Sequence, residues 1–296
     1  MTVLVVGAAG VAGPHVVTAL VERQAGVRVL SRDADRARVL LPGQADVRAG
    51  DPAIDDDLLA AADGADALFL LTSHDRQMAD VQLRIIRTLR RTGIKIVKLS
   101  GTSTAINPDG PYACREHWEI EQVLAASGQP YVILRPNAFM QTLIDQIMFP
   151  AVLATGAIPN AIGTAGISFI DARDIGRCAA EALVSPGWDG QTLTLTGPGP
   201  VTFAEIATVV SRVTGQPVST LDITPADVRR TLESRGMARW EAEHFEEMYQ
   251  LFRDGKSEFV SDDVERMTGR PPGSVASYLA GHPALPVFQA AAPATG

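Results

Sequence analysis

Cysteine is nearly absent from this chain of 296 residues: Cys114 and Cys178 are the only two, and they form neither a C-x-x-C pair nor a metal-ligand spacing. That excludes a disulfide framework, leaves no metal site to expect, and points to a reducing, cytoplasmic setting. No apolar run approaches the roughly 20 residues of a membrane-spanning helix, and no signal-peptide layout is visible, so a membrane is not an expected partner. There is no long basic run, and the net charge is -8. Both facts weigh against nucleic acid as a partner. No repeat of solenoid period occurs. What remains is 46% hydrophobic and 20% charged, enough apolar matter for a sizeable core in one large domain or two smaller ones.

The informative stretch lies at the N-terminus. Val3-Leu4-Val5-Val6 reads as a buried parallel strand, and Gly7-Ala8-Ala9-Gly10-Val11-Ala12-Gly13 as a glycine-rich turn. His15 to Gln24 then reads as a helix, with Val16, Val17, Leu20 and Val21 at helical spacing. Strand, turn and helix in that order open a dinucleotide-binding unit. Gly7 permits the tight turn, Gly10 lets the backbone approach a diphosphate, and Gly13 lets the helix pack close to the strand. The helix N-terminus offers free N–H groups and the positive end of its dipole to the phosphates. The spacing is G-x-x-G-x-x-G rather than G-x-G-x-x-G, and a small-residue turn that only packs a helix on a strand is the other reading. A second strand, Val27 to Ser31, leads into Arg32. An NAD-selective site carries an acid there for the ribose 2′-hydroxyl, whereas a guanidinium suits a 2′-phosphate. NADP(H) is therefore expected ahead of NAD(H), with Arg36 or Arg38 as helpers. Asp33 takes the ribose role if Arg32 turns outward.

Apolar segments and helical ones alternate from there. Strands are expected from Ala45–Val47 to an end at Gly50-Asp51, and at Asp66–Leu71, Ile94–Leu99, Tyr131–Leu134, Ile167–Ile170 and Gln191–Thr196. Helices are expected from Asp55, as N-cap, to Ala62, over Asp75–Thr92 and Cys114–Ser127, from Phe139 toward Pro150, and from Asp171 to Leu183. The pattern is that of an α/β chain with a doubly wound parallel sheet. Open sheets of this kind bind ligands at the carboxyl ends of their strands. Asp51, Leu71, Thr72, Ser73 and Ser100 occupy such ends and join Gly7, Ala9, Gly10, Val11, Gly13 and Arg32 as expected cofactor-binding residues. From Gly197 the texture turns helical. Thr202 and Glu205 form a capping-box pattern that opens a helix to Thr214. Thr220–Ile223 suits a strand, and Thr224-Pro225 opens a helix over Ala226–Ser234. Helices over Ala238–Phe252 and Asp262–Thr268 follow, then a break at Arg270-Pro271-Pro272-Gly273. The expected division is 1–136 plus 166–196 for the cofactor domain, and 137–165 plus 197–289 for a smaller, mostly helical C-terminal substrate domain over the ligand edge. Residues 290–296 read as a flexible tail.

Several stretches resemble, in this order, the NmrA-like family of atypical short-chain dehydrogenase/reductases. They are Gly7 to Gly13, Lys98-Leu99-Ser100, His117-Trp118-Glu119-Ile120-Glu121, Leu134-Arg135-Pro136-Asn137-Ala138-Phe139-Met140, and Phe169-Ile170-Asp171-Ala172-Arg173-Asp174-Ile175. Thr214-Gly215-Gln216-Pro217-Val218 and Thr268-Gly269-Arg270-Pro271-Pro272 resemble its C-terminal pattern. The resemblance implies a Rossmann-type domain that binds NADP(H), a lid-like domain forming the pocket for a small-molecule substrate, and Arg135 and Asn137 beside the cofactor edge. Quinone and azo reductases, isoflavone-reductase-like enzymes, imine reductases and redox-sensing regulators all belong to this group, and fold alone does not choose among them. A homodimer is compatible with the chain, and under the regulatory reading the partner is a regulator protein.

The Tyr-x-x-x-Lys pair of ordinary short-chain dehydrogenases is missing, because Tyr112 is followed four residues later by Glu116. His117 stands at or near the place where isoflavone-reductase-like relatives carry a lysine. Its ordinary pKa suits a proton donor, and a surface histidine paired with Glu121 is the other reading. Tyr112 is a candidate for hydrogen-bonding substrate, and Ser100 either polarises a carbonyl or contacts the cofactor. Phe139, Met140 and Phe169 are candidate substrate-lining residues or plain core. Asp171 and Asp174 fit the N-cap and third position of a helix better than an acid–base pair. A site without a strong acid suits a quinone, an enone or an iminium ion. The expectation is thus an NAD(P)H-dependent reductase of a small conjugated acceptor, with a redox-sensing, NADP(H)-binding regulator as the alternative.

Overall fold

The computed structural model of the chain describes residues 1–283. The elements β1 (Thr2–Val6), α1 (Gly13–Glu22), β2 (Gly26–Ser31), α2 (Ala34–Leu40), β3 (Asp46–Ala49), α3 (Asp55–Ala62), β4 (Ala67–Leu70), α4 (Met78–Thr88), β5 (Lys95–Leu99), α5 (Tyr112–Ala125) and β6 (Tyr131–Pro136) alternate strictly. A π-helix (Gln141–Met148) runs into α6 (Phe149–Thr155), followed by β7 (Ala157–Asn160), α7 (Ala172–Val184) and β8 (Gln191–Leu195). Then come α8 (Phe203–Thr214), β9 (Ser219–Asp222), α9 (Pro225–Ser234), α10 (Arg239–Arg253), α11 (Asp263–Thr268) and α12 (Val275–Ala280).

Two compact units result. The first takes Met1–Pro136, Ala172–Leu195 and Asp262–Arg270; the second takes Asn137–Asp171, Thr196–Ser261 and the described residues from Pro271. The first unit holds a seven-stranded sheet in the order β3-β2-β1-β4-β5-β6-β8, parallel at every pairing. Its inner strands are apolar on both faces, as helix-covered parallel strands must be: Val3, Leu4, Val5, Leu68, Phe69 and Leu70 are fully buried. The strand order reverses between β1 and β4, which is where a doubly wound sheet opens a crevice. Helices α1 and α7 approach almost backbone to backbone, since a Cβ on Gly176 would lie 2.5 Å from the His15 carbonyl oxygen.

The second unit has its own core, built on Ile144, Ile158, Phe169, Phe203, Ile206 and Leu279, and a small parallel pair, β7 with β9. Both expected caps are present here: Thr202 with Glu205, and Thr224 with Asp227.

Several expectations need correction. Ile167–Ile170 is not a strand; it makes isolated bridges from Ile170 to Phe139 and from Ile167 to Val201, and Ser168 N–H donates to the Ser257 carbonyl. Those bonds keep residues 166–171 in the second unit. Asp262–Arg270 belongs to the first unit instead, where Asp263 accepts the Thr194 N–H at 2.8 Å. Strand β7 was not expected, because Ala-Ile-Pro-Asn has few β-formers and a proline. Asp55 is not an N-cap: Ile54 holds that place without a side-chain bond, and Asp55, Asp56 and Asp57 crowd the first turn of α3, where the helix dipole favours acids. The helix beginning near Phe139 adopts π geometry up to Phe149-Pro150, where a residue without an N–H forces a change of register. The expected tail at 290–296 lies outside the described residues.

Candidate active site

A cleft of about 380 Å³ opens at the carboxyl ends of β1, β2 and β4, a size ordinary for a ligand site. Gly7, Ala8, Ala9 and Gly10 form its floor, Arg32, Asp33 and Arg36 one wall, and Leu71, Thr72 and Ser73 another, with Asp51 at the rim. The tightness of the turn explains the glycines. Gly7 has φ +83°, and a Cβ there would stand 2.4 Å from the Leu71 carbonyl oxygen. At Gly13 a Cβ would meet the Gly7 and Ala8 carbonyl oxygens at 2.4 Å. At Gly10, chain neighbours aside, the one heavy atom among the described residues within 4 Å of such a Cβ is the Gly7 oxygen at 3.4 Å, so a side chain there would occupy space that is open beside the turn.

The side chains of the basic wall divide cleanly. Asp33 accepts the Arg36 N–H at 3.0 Å and so caps α2. Arg38 turns to Asp35 at 2.7 Å and to the Val47 carbonyl at 3.2 Å. Arg32 and Arg36 are left on the cleft. Of the residues expected from sequence to contact a cofactor, Val11, Gly13, Ser100 and Asn137 are not among those lining it. Gly13 sits beneath the turn, and the buried Asn137 donates to the Ser168 and Ser257 carbonyls at 3.1 and 3.0 Å. Sequence reasoning missed Pro52, Ala53, Gln77, Met78 and Val81, which also line the cleft. They carry no motif: loop courses bring Pro52, Ala53 and Gln77 there, and the first turn of α4 brings Met78 and Val81.

A polar cluster lies one strand further along the same sheet edge. Ser100 donates to Glu121 Oε1 at 2.5 Å, and Arg135 donates to both carboxylate oxygens of Glu121, at 3.2 and 2.5 Å. Glu121 is buried. Glu121, which helical spacing offered as one reading of the partner of His117, is bound here by Ser100 and Arg135. The His117 Nδ1 lies 2.8 Å from Lys98 Nζ, and Lys98 also donates to the Leu99 carbonyl at 3.1 Å. Lys98 is fully buried. Desolvation lowers its pKa to about 7, against the pull of Glu121 and with the help of Arg135. Sequence reading passed over this lysine, although a charged residue inside a strand covered on both faces was a usable signal. Tyr112 bonds to Glu116, and that bond together with burial holds the phenol above its ordinary pKa. The Ser100 proton is committed to a carboxylate, so this hydroxyl does not polarise a carbonyl by donation.

Arg135→Met is expected to destabilise the protein by about 3–5 kcal/mol, because it strands a buried carboxylate. Arg32→Ala, on the surface, is expected to stay within about 0.5 kcal/mol of the parent. Urea unfolding of both variants checks the contrast, and equal midpoints would remove the structural weight given to the Glu121–Arg135 pair.

Met140 and Phe169 do not line the cleft described above. Both are buried in the core of the second unit, and Phe139 is half-buried. Asp174, third in α7, pairs with Arg177, and Asp171 accepts from Gln141 at 2.8 Å. Among the described residues no cluster of His, Cys, Asp or Glu is placed to hold a metal, and no helix is long and apolar enough to cross a membrane.

The sequence and this geometry have counterparts among known proteins. The family model described as the NmrA-like family matches residues 1–270. An NAD(P)H azoreductase of Xenophilus azovorans is 31% identical, over 95% of this chain and 98% of its own. The prestalk A differentiation protein A of Dictyostelium discoideum is 30% identical, over 94% of this chain and 91% of its own. A crystal structure of an NADPH-dependent quinone oxidoreductase complexed with NADPH, from Escherichia coli, shares the fold with a TM-score of 0.83 at 23% identity, covering 94% of this chain and 98% of the other.

Proposed function

This chain belongs to the NmrA-like family, and from that premise we propose that it is an NADPH-dependent reductase of small conjugated acceptors, quinones foremost. That it is an NAD(P)H-dependent oxidoreductase follows from the named activities of its relatives. The acceptor class is our own reading.

The cleft fits the cofactor on its own geometry. The glycine turn leaves open the space that a Cβ at Gly10 would fill, and α1 directs its N-terminal dipole end at that turn. Two guanidinium groups share one wall while the neighbouring carboxylate of Asp33 is occupied as a helix cap. That division of labour carries the preference for NADPH, because a 2′-phosphate finds two planar cations beside an acid already bonded to the start of α2. When bound, the nicotinamide supplies a hydride. The chain's part is to grip the diphosphate at the turn, hold the adenosine end against Arg32 and Arg36, and keep the cofactor aligned along the carboxyl ends of β1 and β4. A quinone suits the remaining chemistry, since its reduced anion is stabilised and a weak proton donor is enough to complete it. Tyr112 is a weakened acid, and Ser100 has its proton engaged.

Titration with both coenzymes tests this reading. Arg32→Ala is expected to weaken NADPH binding by about 10- to 100-fold, as the loss of charge-assisted hydrogen bonds implies, while NADH changes little. Equal losses for both would overturn the assignment of Arg32. NADPH consumption over a quinone panel tests turnover. Tight binding without consumption of any acceptor would instead favour a cofactor-sensing protein, the reading that kinship to a differentiation protein keeps in view.

A further inference from the structure

The polar cluster beyond the cleft contains a group that the reductase reading above leaves unused. Lys98 faces Leu70 across the β4–β5 ladder, one residue before Leu71 and Thr72 of the cleft wall. It is fully buried, although a lysine at that place costs stability. Its Nζ lies 2.8 Å from His117 Nδ1. The Cδ2 edge of the His117 ring lies 3.6 Å from where a Cβ on Gly101 would stand. That edge, which includes Nε2, therefore lies by the backbone just past the carboxyl end of β5, on the ligand side of the sheet. The charges that act on Lys98 are Glu121, from α5, and Arg135, from β6, which bond to each other.

We propose that Lys98 and His117 are a proton-supplying pair for the reduced substrate, His117 giving the proton at Nε2 and Lys98 refilling the ring at Nδ1. The proposal rests on the reductase reading. In the resting pair the Lys98 ammonium donates to Nδ1, which fixes the neutral imidazole as the Nε2–H tautomer. The Nε2–H bond breaks as its proton passes to the anion left on the substrate by hydride addition. The ammonium proton moves to Nδ1 in the same event, leaving a neutral amine and a neutral ring. The anion gains one proton, the pair loses one, and solvent restores it afterwards. Two positive charges at 2.8 Å repel strongly and Arg135 adds to that repulsion, so the pair carries one proton to share across the neutral range. Burial of Lys98 brings its affinity for that proton down toward the working pH, where a proton donor is most effective. Lys98 is on this account a positioning residue, acting through His117.

The test uses full-length protein labelled with ¹⁵N-histidine, with the His117 signals identified by their loss in His117→Gln. In the parent, His117 is expected as the Nε2–H tautomer. In Lys98→Met, which keeps most of the length of the side chain without the amine, the tautomer preference is expected to fade and the midpoint of ring titration to rise by about one unit or more. An unchanged tautomer and midpoint would overturn the pair. In quinone reduction, Lys98→Met and His117→Gln are each expected to lower kcat at least about tenfold, with NADPH affinity within twofold of the parent and the limb of the pH profile near neutrality lost. The double variant is expected to lose no more than either single one. Additive losses, or an unchanged pH profile, would reduce Lys98 to a structural residue. If the parent oxidises no NADPH with any quinone, the reductase reading fails and the proton delivery with it, whereas the labelled ring still reports whether the two side chains share a proton.

Discussion

Gly13→Ala is expected to raise the dissociation constant for NADPH by more than about 100-fold. The methyl group would arrive 2.4 Å from two backbone oxygens, those of Gly7 and Ala8. Neither is the end of a flexible side chain, so the turn or the helix has to move. The turn is held at its other end by Gly7, which itself stands against Leu71, and α1 is held against α7. A displacement on the order of 1 Å at a ligand cradle is enough for an effect of this size, and overpacking adds a stability loss of about 1–3 kcal/mol. Gly43→Ala is the control, since nothing lies within 4 Å of a Cβ there. Calorimetric titration of both variants gives the answer. A Gly13→Ala protein that binds NADPH like the parent would mean that the turn does not hold the diphosphate.

Lys98→Met is expected to stabilise the protein, and by an amount that depends on pH. The pKa of Lys98 falls from 10.5 to about 7 in the folded chain. Between those values the unfolded state binds more protons than the native one, so the stability of the parent rises with pH across that window. Above 10.5 the amine is neutral in both states and carries no charge penalty; below 7 the penalty is complete. In full it amounts to roughly 5 kcal/mol, from which the lost bonds to the Leu99 carbonyl and to His117 subtract about 1–3 kcal/mol. The net gain for the methionine variant is then about 2–4 kcal/mol at pH 6, shrinking steadily as pH rises past 7. Denaturant unfolding at pH 6, 8 and 9.5 checks the trend. A gap that does not narrow with pH would show that Lys98 keeps its charge in the fold without strain. A residue that lowers stability in this way is commonly retained for what it does.

The architecture was legible where local chemistry and tertiary demand agree. Strand β1, the glycine turn and α1 form one continuous signal, because the turn that suits a diphosphate is the turn that lets a helix lie on a strand. Arg32 was legible for a similar reason: its place at the end of β2 is set by the ladder. The polar cluster was not. Spacing along a helix sees residues three or four apart, so Glu121 was the one partner it could offer His117. It does not see that β5 slides Lys98 under the ring, or that β6 brings Arg135 to the carboxylate. Phe169 and Met140 were ambiguous from the start, since a wall of a pocket and a wall of a core call for the same apolar residues. Ile167–Ile170 misled because its β-branched residues do line a core, with loops rather than a strand as neighbours.

The first unit is assembled from three separate lengths of chain, and its last strand and the helix carrying Asp263 come from the second and third. A ribosome therefore exposes β1 to β6 long before β8 can close the edge beside β6, and longer still before Asp263 can clasp Thr194. Until about residue 270 has emerged, the nascent sheet has an unprotected flank, which slows completion and favours wrong pairings. A single cut in the chain does not yield this unit intact, and dissecting the protein into independent halves calls for rejoining segments rather than truncating them.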